Sequence, residues 1–150
     1  MTLNRKKTAL LSLIAVFFVA LDRFLKLVAV RTSFNIDIIG DIFRFNFAAN
    51  PNVAFSLPLG GIFLNILIPV ILVAIIFFTR KMIAEKEFID VTAMAYIFLG
   101  AVSNYADRLI HGYVVDYFDL QYFTVFNIAD SMIVLGVAVV IVNSFRKENK

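Results

Sequence analysis

Asn104-Tyr105-Ala106-Asp107-Arg108, followed by Asp116 and by Phe126-Asn127-Ile128-Ala129-Asp130, sets amides, carboxylates and an arginine directly beside long apolar runs. Polar groups are costly near a bilayer, so ionisable residues in such a setting mark a functional site by default. The composition makes the bilayer the relevant solvent. Of the 150 residues, 61% are hydrophobic, against about 45–50% in soluble domains. The expected class is an integral membrane protein forming one domain over residues 1–150. The chain has no cysteine, and His111 is its one histidine. That excludes disulfides, thiolate zinc sites and multi-histidine metal centres.

Outward from that stretch, four apolar segments are expected as spanning helices, at about 8–30, 60–79, 88–106 and 128–142. The basic start Asn4-Arg5-Lys6-Lys7 followed by an apolar run resembles a signal peptide. The run continues past Lys26 without a small-x-small cleavage site, so a span is expected instead. Residues of about 34–56 alternate apolar and polar with period two, as in Phe34-Asn35-Ile36-Asp37-Ile38, with turn signals at Gly40-Asp41 and Asn50-Pro51-Asn52. They are expected as a small sheet, a β-cradle on the membrane surface. Leu109 to Thr124 is expected as a loop between the third and fourth helices. The fold class is thus all-α, a four-helix membrane bundle with a small extracytoplasmic sheet.

Topology places the chemistry. Four spans put Arg5, Lys6, Lys7, Arg80, Lys81, Lys86, Arg146, Lys147 and Lys150 on the side of the termini, and Arg31, Arg44 and Arg108 on the other. The positive-inside bias assigns both termini to the cytoplasm. Asp22 and Lys26, Asn104, Asp107 and Arg108, and Asn127 and Asp130 then all fall near the outer ends of their helices, level with Asn50 and Asp116. Asp22 and Lys26 are spaced i, i+4 and are expected to pair. Two aspartates brought within about 3 Å cannot both ionise easily, so they share a proton. The ionised one activates water and the protonated one donates to the developing oxyanion. Asp116 and Asp130 are the expected pair, in a mechanism that calls on no metal or cofactor.

At these residues the chain resembles the lipoprotein signal peptidase, or signal peptidase II, family. Asp22-Arg23-Phe24-Leu25-Lys26 is similar to its Asp-x-x-x-Lys. Asn50-Pro51-Asn52-Val53-Ala54-Phe55-Ser56 is similar to Asn-x-Gly-x-Ala-Phe-Ser, and Asn104 to Arg108 to Asn-x-x-Asp-Arg. Val115-Asp116-Tyr117 is similar to Val-Asp-Phe, and Phe126 to Asp130 to Phe-Asn-x-Ala-Asp. The resemblance implies an aspartic endopeptidase of the bacterial cytoplasmic membrane, cleaving diacylglyceryl-modified prolipoproteins just before the lipobox cysteine. It implies catalytic roles for Asp116 and Asp130, and site-lining roles for Asn50, Asn104, Arg108, Asn127 and Ala129. It also implies inhibition by globomycin-type cyclic peptides.

Asn52 and Ser103 stand where the family usually has glycine, and the 14-residue step from Asp116 to Asp130 is short. Plainer roles stay open beside these. Asp22 with Lys26 also suits a buried structural pair, and Asp107 a partner for Arg108. Asn50 and Asn127 suit a turn and a helix cap. Expected partners are the lipid-modified substrate and the phospholipid bilayer, with no nucleic acid, and the chain is expected to be a monomer. The competing function is a proton- or ion-coupled transporter component, since intramembrane aspartates also serve proton relays. It would predict repeated halves, and none is visible in the sequence.

Overall fold

A computed structural model describes residues 5–32, 35–51, 62–85 and 87–148. The chain runs α1 (Arg5–Thr32), β1 (Asn35–Ile39), β2 (Phe43–Asn50), α2 (Ile62–Ala84), α3 (Phe88–His111), β3 (Val114–Leu120), β4 (Val125–Phe126) and α4 (Ile128–Glu148). Among the described residues three helices, α2, α3 and α4, are long and apolar enough to cross a membrane. At 1.5 Å per residue their 23, 24 and 21 residues give about 32–36 Å, a little more than the hydrocarbon core. α1 has 28 residues and carries Asp22, Arg23 and Lys26 in its second half. A count of four spans therefore rests on α1 alone.

The helices are longer than expected. α2 runs through Arg80 and Lys81 to Ala84, and α4 continues to Glu148. The start of α3 and the end of α4 are tied by buried Asp90, which accepts from Asn143 Nδ2 at 2.9 Å and from Lys147 Nζ at 2.7 Å. Gly100 and Gly136 let α3 and α4 approach closely. A Cβ at Gly100 would lie 2.5 Å from the Ala129 carbonyl, and one at Gly136 would lie 2.7 Å from the Ala93 carbonyl. This contact brings the C-terminal half of α3 against the start of α4.

The expected loop between α3 and α4 is not a loop. α3 ends at His111 with Gly112 in the left-handed conformation (φ 80°), whose N–H caps the Arg108 carbonyl. The chain then enters β3 and β4, which complete a four-stranded antiparallel sheet in the order β1-β2-β3-β4. The sheet is therefore not confined to residues 34–56. Phe34 and the stretch Asn52 to Ser56 lie outside the described residues. β3 escapes a period-two reading because Val114, Val115, Asp116 and Tyr117 are all buried. A strand covered on both faces has no polar side to alternate with. Val115 and Tyr117 pack with Ala29 of α1 and Phe45 of β2, and Val114 and Asp116 point to the opposite face.

Candidate active site

The start of α4 is built by its own sequence. Asn127 is the cap: its Oδ1 accepts the Asp130 N–H at 2.8 Å, and Asp130 Oδ2 accepts the Asn127 N–H at 3.3 Å. This reciprocal pair satisfies two donors that a helix start otherwise leaves open. It also orients the cap amide. With Oδ1 turned to the helix, Asn127 Nδ2 faces Asp116 Oδ1 at 2.7 Å and Asn104 Oδ1 at 3.1 Å. Asn104 Nδ2 in turn donates to Asp130 Oδ1 at 2.7 Å. Two amides thus link the two aspartates in a continuous chain of hydrogen bonds. The cap role and the site role of Asn127 coexist in one side chain.

Asp116 is buried, and its second oxygen accepts from Asn50 Nδ2 at 2.9 Å. Burial pushes its carboxyl up to about 7, and the nearby Asp130 charge adds to the effect. The hydrogen bonds from Asn50 and Asn127, then the charge of Lys26, pull the other way. A carboxyl raised in this way holds its proton nearer to neutral pH than a free aspartate does.

Beneath the aspartates lies a group of charges from α1 and α3. Lys26 Nζ contacts Asp22 Oδ2 at 2.9 Å, Asp107 Oδ2 at 2.8 Å and Asn104 Oδ1 at 2.8 Å, with all four side chains buried. The expected Asp22–Lys26 pairing is present. Asp107 turns toward α1, where it takes Lys26 and Arg23 and accepts the Val115 N–H at 3.3 Å. Arg108, one residue on, faces a cavity instead. The i, i+3, i+4 face of α3 is therefore divided between the ion cluster and the cavity. Asp22 also accepts from Ser103 Oγ at 2.7 Å, Tyr117 Oη at 2.9 Å and the Ala129 N–H at 3.2 Å. Burial and the charge of Asp22 raise the Tyr117 hydroxyl above its ordinary range, keeping it a neutral donor.

The cavity, about 460 Å³, has a polar end formed by Asn50, Asn104, Arg108 and Asp130. Its walls are apolar. Ser131, Val134, Leu135 and Ala138 supply the α4 side, and Phe123, Val125 and Phe126 line it from β4 and the turn before it. Asp116 stands just behind Asn50 rather than on the lining. Among the described residues no group of three or more histidine, cysteine or acidic side chains is arranged to hold a metal ion.

A family profile described as "Signal peptidase (SPase) II" matches residues 14–146, nearly the whole chain. The chain belongs to the signal peptidase II family. It is 30% identical over 139 residues to the lipoprotein signal peptidase of Halothermothrix orenii, covering 91% of this chain and 95% of that relative. It is 35% identical to the one from Desulfitobacterium hafniense, covering 87% of this chain and 89% of the relative. Two solved structures of bacterial membrane enzymes superpose on it. One has a TM-score of 0.84 at 30% identity over 93% of this chain and 90% of the other; the second has 0.76 at 29% over 90% and 92%. A protease family with helices of this length and apolarity makes the chain a multi-pass membrane protein.

Three participants in this signal peptidase II network carry no signal of their own in the sequence. Arg23 lies next to Asp22 but pairs with Asp107, 84 residues away. Ser103, where the family usually has glycine, donates its hydroxyl to Asp22. The Tyr117 hydroxyl accepts the Ile128 N–H at 3.0 Å, which only the docking of β3 on α4 creates. The apolar cavity wall did have a signal: Ser131, Val134, Leu135 and Ala138 follow the 3–4 spacing of one helix face.

Proposed function

We propose that the chain is an aspartic endopeptidase that removes the signal peptide from diacylglyceryl-modified prolipoproteins, cutting just before the lipidated cysteine. The observation that carries the reading is the continuous hydrogen-bond chain Asp116–Asn127–Asn104–Asp130 at the polar end of an otherwise apolar cavity. The apolar walls suit a lipid-bearing peptide drawn from the bilayer, and the polar end suits its scissile carbonyl. One aspartate, ionised, takes a proton from water as the water attacks. The other, protonated, donates to the carbonyl oxygen as it gains charge, and the roles reverse when the amine leaves. Asn50 and Asn127 hold the Asp116 carboxyl, and Asn104 holds Asp130. Arg108 lines the substrate cavity. Asp22, Lys26 and Asp107 support the site from below, and Ala129 allows α3 to approach α4 closely.

In this reading α1 is the fourth span and residues 1–150 form one unit. Both termini face the cytoplasm of a bacterial cell, and the site opens at the outer face of the cytoplasmic membrane. The protein acts as a monomer and is blocked by globomycin-type peptides. The deciding experiment incubates detergent-purified protein with a lipid-modified prolipoprotein. Asp116→Asn and Asp130→Asn should each abolish release of the signal peptide while the protein still folds. Cleavage by either variant would refute the dyad.

A further inference from the structure

The peptidase chemistry assigns tasks to Asp116 and Asp130 but not to Asp22, a buried acid whose partners span four elements. Its Oδ2 takes Ser103 Oγ and Lys26 Nζ; its Oδ1 takes Tyr117 Oη at 2.9 Å and the Ala129 N–H at 3.2 Å. Tyr117 Oη also accepts the Ile128 N–H at 3.0 Å. Two of the first N–H groups of α4, which lack intrahelical partners, therefore end on Tyr117 and Asp22. Tyr117 follows Asp116 in β3, and Ala129 precedes Asp130 in α4. The Tyr117–Asp22 contact thus joins the neighbour of one aspartate to the neighbour of the other.

We propose that Tyr117 is a positioning residue whose hydroxyl, held by Asp22, couples β3 to the first turn of α4 and so sets the separation of the Asp116 and Asp130 carboxyls. The proposal rests on the dyad reading above. The ring has an anchor of its own, since it packs on Phe45 at 5.5 Å and Phe118 at 4.8 Å between centroids. The hydroxyl carries the hydrogen bond to α4. Ser103 holds the other oxygen of Asp22, and its hydroxyl bonds neither β3 nor α4, so its part is smaller.

Tyr117→Phe deletes the hydroxyl and keeps the ring. Ile128→Pro cuts the same bond from the other side, and proline suits the first position of a helix. With lipid-modified prolipoprotein as substrate, each should lower kcat about tenfold with KM unchanged, because a small misplacement of a reacting group costs rate rather than binding. The bell-shaped pH profile of kcat/KM should narrow by about one unit, because two acids held less closely couple less strongly. Arg108 and Asp107 from α3 and Lys26 and Asp22 from α1, the other charged groups around the dyad, are the same in every variant. A purely structural hydroxyl would lower the melting temperature and leave kcat and the bell width of the folded enzyme unchanged, which would overturn the proposal. Retained activity in Asp116→Asn or Asp130→Asn would instead bring down the dyad reading, and this proposal with it.

Discussion

Lys26→Met tests the ion cluster that underlies the site. Lys26 is 2% exposed and touches two carboxylates, Asp22 and Asp107, that are 0% exposed. Methionine keeps most of the lysine volume, so the cavity it leaves is small. The cost is electrostatic: removing one partner of a buried ion pair costs about 3–5 kcal/mol, because the remaining charge stays uncompensated. Here the remaining charges keep other donors. Asp107 retains Arg23 and the Val115 N–H, and Asp22 retains Ser103, Tyr117 and the Ala129 N–H. The lower end, about 3 kcal/mol, is therefore expected. For a chain of this size that is a fall of about 6–12 °C in Tm. Thermal unfolding in detergent micelles measures it directly. The double variant Asp22→Asn/Lys26→Met, which removes one of the two stranded charges, should regain part of the loss. Activity should fall about a hundredfold, because Asn104 loses the ammonium that orients its amide toward Asp130. A single variant melting within about 2 °C of the parent, under one kcal/mol, would refute the argument.

Other outcomes follow from the same geometry. Asn50→Ala removes a donor that holds the Asp116 carboxyl down; the carboxyl should rise above about 7, and the limb of the rate profile that reports it should move to higher pH. Because Asp116 binds its proton more tightly in the fold than the ordinary value of 3.8, ionising it destabilises the protein as pH rises from about 4 to about 7. Asp116→Asn should therefore melt higher than the parent at pH 8, and equal melting there would contradict the assigned burial cost. Gly100→Ala places a methyl group against the Ala129 carbonyl and should cost about 1–3 kcal/mol. It should also slow cleavage, since α3 and α4 must part where Asn104 meets Asp130; unchanged melting and kinetics would disprove the close approach.

Much of the site is legible because its rules are local. The Asn127 and Asp130 spacing of i, i+3 at the start of an apolar run is a helix cap wherever it occurs. Asp22 and Lys26 at i, i+4 meet on any helix. β3 is the counterexample. Val114 to Leu120 reads as an apolar loop because both its faces are covered, and only β2 on one edge and β4 on the other make it a strand. Arg23 is another, since nothing near it in sequence selects Asp107.

What the sequence by itself determined is composition, the approximate placement of the helices and the common level of their polar groups. Each residue of a helix adds a set rise along the membrane normal, so counting along the apolar runs brings the polar groups of several segments to one level. What only the tertiary structure decided is which way each helix turns about its own axis, and hence that Asp107 faces Lys26 and Arg23 while Arg108 faces the cavity. That rotation depends on packing between segments tens of residues apart, through close contacts such as Gly100 on Ala129, and no local period encodes it.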